Sequence, residues 1–159
     1  VRVIADHLQL DTEYIWSDHD FDFRTANLED ANFTTAVFSG AARFDEARFF
    51  GATRFDGATF SGDAGFGEAR FLGPTRFDGA TFSGYAGFAE TRFGGHVLFD
   101  GARFSRDAVF TAARFSSYAA FAGANFSGDA LFDGAKFAGD ALFDEAKFSG
   151  NANFFAATF

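Results

Sequence analysis

Phenylalanine recurs along this chain at steps of six and five residues, alternating without exception from Phe38 to Phe159. The small unit is therefore eleven residues and the larger one twenty-two. Residues 45–66, DEARFFGATRFDGATFSGDAGF, and residues 67–88, GEARFLGPTRFDGATFSGYAGF, agree at eighteen of twenty-two positions. Two residues before each centre position from Phe44 onward stands a small residue: eighteen Ala, three Thr (Thr53, Thr75, Thr91) and Val97. Side chains two apart in extended backbone point to the same side. Each unit thus predicts a very short strand that turns one small and one large apolar group inward and one residue outward, followed by a turn. An eleven-residue period also suits a right-handed helical coiled coil. Steps of five and six, however, put successive Phe on different faces of a helix, more than about 100° apart. The many glycines would cost a helix about 1 kcal/mol each.

Residues 26–40, ANLED ANFTT AVFSG, are consecutive five-residue units with Ala first and Leu or Phe at the centre. In this the chain resembles the pentapeptide-repeat family over residues 21–159. The resemblance implies an all-β, right-handed quadrilateral β-helix. The simple family pattern steps by five; here every second step beyond Phe38 is six, which implies coils of twenty-two residues with two longer sides. The surplus residue falls between a centre Phe and the next small residue, as in Phe60-Ser61-Gly62-Asp63-Ala64. Pro74, Asp63, Tyr85, His96 and Tyr118 occupy this place, which reads as a corner, where a missing N–H is tolerated. The glycines that precede it (Gly62, Gly73, Gly84, Gly95, Gly128, Gly139) are expected to take dihedrals other residues avoid.

Stacked coils bring each ring roughly 4.8 Å above the last. The predicted core runs through Phe44, Phe49, Phe55, Phe60, Phe66, Phe71, Phe77, Phe82, Phe88 and Phe93 and on to the C-terminal end. Of 28 Phe, only Phe21, Phe50 and Phe155 miss a centre position. Residues 1–20 break the repeat and carry Ile4, Leu8, Leu10, Tyr14, Ile15 and Trp16; they are expected to cap the first coil. The last coil ends on a centre position, so Phe154, Phe155 and Phe159 are the candidate contacts for an end-to-end homodimer.

Composition narrows the chemistry. The chain has no Cys, which removes disulfides and thiolate metal sites. No apolar run is long enough to span a membrane and no signal peptide is visible, so a cytoplasmic setting and no membrane contact from this segment are expected. The chain opens at Val1 without Met and is expected to be part of a longer polypeptide. His7, His19 and His96 lie too far apart in sequence for a histidine metal site. The recurring Ser61, Ser83, Ser105, Ser127 and Ser149 read as turn residues, not nucleophiles. No catalytic residue, cofactor or metal is predicted.

The net charge is −9, the wrong sign for a nucleic-acid binder. Its placement says more. One outward column holds Arg48, Arg70, Arg92, Arg114 and Lys136, a basic ladder. Glu46, Glu68 and Glu90 each stand two residues before a ladder Arg, so pairing between coils is the expectation, with a binding strip for an acidic partner as the sharper reading. Asp56, Asp78, Asp100 and Asp144 form an acidic column read as turn formers. Val109 and Leu131 share an outward apolar column, as do Leu98 and Leu142. The candidate interaction surface is thus the ladder with Val109 and Leu131. The predicted function is a non-enzymatic structural or protein-interaction module whose protein partner the residues do not name. The resemblance implies an alternative, a DNA mimic that acts on DNA gyrase or topoisomerase IV and protects against quinolones.

Overall fold

The computed structural model describes residues 19–159. The cap expected of residues 1–20 lies outside them, apart from His19 and Asp20. Twenty-four strands of two or three residues form four parallel sheets, which we call walls. Wall I holds Phe21–Asp22, Ala42–Arg43, Ala64–Gly65, Ala86–Gly87, Ala108–Val109, Ala130–Leu131 and Ala152–Asn153. Wall II holds Asn27–Glu29, Arg48–Phe50, Arg70–Phe71, Arg92–Phe93, Arg114–Phe115 and Lys136–Phe137. Wall III holds Thr53–Arg54, Thr75–Arg76, Val97–Leu98, Ala119–Ala120 and Ala141–Leu142. Wall IV holds Val37–Phe38, Thr59–Phe60, Thr81–Phe82, Arg103–Phe104, Asn125–Phe126 and Lys147–Phe148. The chain visits the walls in this order and climbs one rung per circuit. Register confirms the twenty-two-residue coil, with Phe60 opposite Phe82 and Phe82 opposite Phe104. No helix occurs among the described residues.

The interior is the predicted array. Each small residue from Ala42 to Ala135 and each centre Phe from Phe33 to Phe132 is buried. Rings on one wall stack nearly parallel, as in Phe66–Phe88 at 4.9 Å and 1° and Phe88–Phe110 at 4.8 Å and 2°. Rings of walls I and III meet edge to face across the tube, as in Phe77–Phe88 at 5.6 Å and 87°. Both arrangements suit the quadrupole of a phenyl ring. Each buried ring adds about 1.5–3 kcal/mol before entropy is charged.

The corners differ by length. At the five-residue steps the small residue's N–H donates to the preceding centre Phe, as from Ala80 to Phe77 at 3.0 Å, and the residue before it is left-handed. Gly79 (φ 63) serves there between walls III and IV, and Glu68 (φ 55) between walls I and II. This is the positive φ that a type II turn requires at its third residue. The six-residue corners correct the expectation about glycine. Gly62, Gly73, Gly84, Gly95, Gly128 and Gly139 do not adopt positive φ. They are small because the coil below is close: a Cβ at Gly84 would lie 2.5 Å from the Gly62 carbonyl oxygen, and one at Gly62 equally near that of Gly40.

Replacing Phe88 with Ala opens a void among six neighbouring rings. Urea denaturation of the variant is expected to show a loss of about 3–5 kcal/mol. Phe155→Ala, at a residue 77% exposed, is expected to stay within about 0.5 kcal/mol of the parent.

Candidate functional site

The corners carry most of the carboxylates, and many of these bond upward to the next coil. Each accepts the amide N–H of a residue about one coil later: Asp30 from Ala52 (3.2 Å), Asp45 from Gly67 (2.9 Å), Asp63 from Tyr85 (2.9 Å), Asp107 from Asp129 (3.0 Å) and Asp129 from Asn151 (2.9 Å). Asp20 does the same for Ala41 at 2.8 Å. Corner amides that lie outside the short ladders are satisfied this way. Asp78 and Asp100, read from sequence as turn formers, join the set by accepting from Asp100 (3.2 Å) and Ala122 (2.9 Å). Pro74 fits the same logic. It stands one coil above Ala52, which has no carboxylate to offer, and has no N–H to satisfy.

Two arginines add charge to these joints. Arg76 on wall III reaches Asp56 through Nε (2.9 Å) and Asp78 through Nη2 (2.6 Å), tying two coils together. Burial nonetheless dominates at Asp56 and raises its pKa; Arg76 opposes the shift and the Asp78 charge adds to it. At the first rung Arg24 Nε and Nη2 donate to Asp22 at 2.9 and 2.6 Å. That hydrogen bonding holds the Asp22 carboxyl at about 2, below its ordinary 3.8.

Wall II is arranged otherwise. Arg48, Arg70, Arg92, Arg114 and Lys136 pair rung on rung and project into solvent. Among the described residues no carboxylate lies within salt-bridge distance of any of them. This corrects the pairing expected with Glu46, Glu68 and Glu90. Those glutamates occupy left-handed turn positions at the corner before the ladder (φ 58, 55 and 57). Like charges repel across neighbouring strands, so the ladder is a standing electrostatic cost. On the far edge of the wall Phe50 (40% exposed) and Leu72 (57% exposed) stand one coil apart, an apolar ridge beside the cations that sequence reading left out. Phe50 was visible in sequence as a Phe off the centre column.

Walls I and III lose charge toward the C-terminal half. Wall I passes from Arg43 through Gly65 and Gly87 to Val109 and Leu131, both half-buried and in register. The Tyr85 ring lies against Gly87, where a Cβ would meet Cε1 at 2.7 Å. Burial, helped by the Asp107, Asp45 and Asp63 charges, raises the Tyr85 pKa. Wall III passes from Arg54 and Arg76 to Leu98, Ala120 and Leu142. In the last coil Phe155 and Phe159 are 77% and 74% exposed, and Phe154 is partly buried against Phe132 and Phe143.

Catalytic geometry does not assemble among the described residues. His96 Nδ1 and Ser117 Oγ are 3.1 Å apart on an exposed corner. No group of three His, Asp or Glu side chains is placed to hold a metal ion there. A furrow of about 330 Å³ lined by Gly101, Arg103, Gly123, Asn125, Glu145 and Lys147 is shallow and open. No described helix is long and apolar enough to cross a membrane.

Comparison with known proteins agrees with the geometry. The sequence profile of pentapeptide repeats (nine copies) matches residues 23–70, 55–101 and 88–136. No curated protein matches the chain.

Two predictions follow from the charges. Arg92→Glu sets a carboxylate between Arg70 and Arg114, its partners in register. Its thermal midpoint is expected to equal or exceed the parent's, by up to about 1 kcal/mol in stability; a clear loss would mean that the ladder supports the fold. Asp22 has a depressed folded-state pKa, so its contribution is present above the ordinary carboxylate range and is lost as pH falls through about 2. Carboxyl NMR titration is expected to give that midpoint, and Arg24→Ala to return it to the ordinary range.

Proposed function

The chain belongs to the pentapeptide-repeat family, and from that premise we propose that it is a non-catalytic interaction module whose contact surface is wall II. The observation that carries this reading is the ladder of Arg48, Arg70, Arg92, Arg114 and Lys136, in register on five rungs and without an ion pair among the described residues. A solenoid with its interior filled by Phe and Ala has only its walls, corners and ends to offer a partner. Elsewhere among the described residues Arg24, Arg43 and Arg76 are matched to carboxylates, while Arg54, Arg103, Arg106 and Lys147 are not but form no column of five, Asn125 standing between Arg103 and Lys147. Five successive cations unmatched among the described residues on one wall suit an anionic partner better than they suit stability.

The DNA-mimic alternative asks for walls of the opposite sign. A duplex surrogate presents anionic charge along its length. Here many carboxylates sit at corners, and eight of them (Asp20, Asp30, Asp45, Asp63, Asp78, Asp100, Asp107 and Asp129) are engaged by backbone amides of the next coil. A supercoiling assay with DNA gyrase is expected to show no inhibition at concentrations on the order of tens of micromolar. Inhibition that survives charge reversal on wall II would replace the present reading with the mimic.

A further inference from the structure

Resting on the reading of wall II as the contact surface, we infer that its partner is an amphipathic α-helix with a row of carboxylates, lying along the solenoid axis. Spacing carries the argument first. Successive wall II rings are 4.4, 5.0, 5.1 and 4.5 Å apart from Phe49 to Phe137, which sets the rise between ladder cations. Five rungs therefore span about 19 Å. Carboxylates at alternating three- and four-residue steps on a helix recur about every 5.3 Å, and five of them span about 21 Å. Flexible Arg side chains absorb that difference. An extended peptide repeats one face about every 6.7 Å and slips out of register by the third rung.

The flanks of the wall carry the rest. Across each of the second and third coils run three positions two residues apart: Glu46, Arg48, Phe50, and then Glu68, Arg70, Leu72. On these two coils wall II shows acidic, basic and apolar positions side by side; Glu90 extends the acidic row by one rung, and the apolar row ends at Leu72. Glu46, Glu68 and Glu90 hold left-handed turn positions where glycine would cost less, as at Gly57, Gly79 and Gly101 on the opposite corner. The matching partner has its acidic stripe over the arginines, apolar side chains against Phe50 and Leu72, and basic residues toward the glutamates. A uniform polyanion meets repulsion from the glutamate row, and the net charge of −9 works against it at long range.

The test uses a synthetic helical peptide of about 21 residues with Glu, Leu and Lys on three adjacent stripes, titrated against the protein by fluorescence anisotropy. A scrambled peptide of the same composition and a short DNA duplex serve as comparison ligands. The helix is expected to bind one to one, more tightly than either, with affinity falling as salt rises. Arg70→Glu with Arg92→Glu is expected to weaken it at least about tenfold, and Leu72→Ser about threefold, with thermal midpoints unchanged. Absent binding, or equal binding of the scrambled peptide, overturns the helix assignment, and preference for DNA replaces it with a nucleic-acid strip. If instead the double arginine variant unfolds, the ladder is structural and the interaction reading falls as well. Leu72→Ser, which removes no ladder charge, then reports on the helix separately.

Discussion

Stacked phenyl rings set the terms for the rest of this molecule. A parallel β-ladder fixes the rise per coil at about 4.8 Å. A column of parallel, offset rings accepts the same rise, as between Phe66, Phe88 and Phe110. Backbone and side-chain repeats are therefore commensurate, and each coil presents the next with the surface it was itself built on. The edge-to-face meeting of walls I and III closes the centre, so that strands of only two or three residues hold together through what they enclose.

That regularity has a cost at the corners. Four turns per coil leave amides that strands this short do not pair, and the coils approach one another more closely there than side chains allow. The chain answers with carboxylates that reach to the next rung and with glycines where a Cβ would strike the carbonyl below. Much of the acidic charge is thereby drawn into the architecture. The basic charge is divided: Arg24, Arg43 and Arg76 join the corner network, and among the described residues the wall II ladder, Arg54, Arg103, Arg106 and Lys147 do not. What sets wall II apart is continuity: its cations recur on five successive rungs.

Coil length, the inward and outward sets, the corner positions and the Phe core were legible from residue spacing, because a period-two strand and a fixed coil length leave no freedom in which side chains face the axis. The family follows from the same spacing, and its profile covers residues 23–136. The ladder was legible too, as a column repeating every twenty-two. Its pairing was not. Glu68 and Arg70 are two residues apart in sequence, which suggests contact, but Glu68 sits in a left-handed turn and the two are not within salt-bridge distance.

What the sequence determined alone is therefore everything set by periodicity: the number of coils, the ring columns and the faces of the walls. The tertiary structure decided everything set by distance between coils at the corners. Asp63 meets the Tyr85 amide and Gly84 yields room above Gly62 only because twenty-two residues of chain return to within one β-spacing. That return brings together residues no local pattern relates, and the direction each corner side chain takes depends on turn dihedrals that residue identity does not fix.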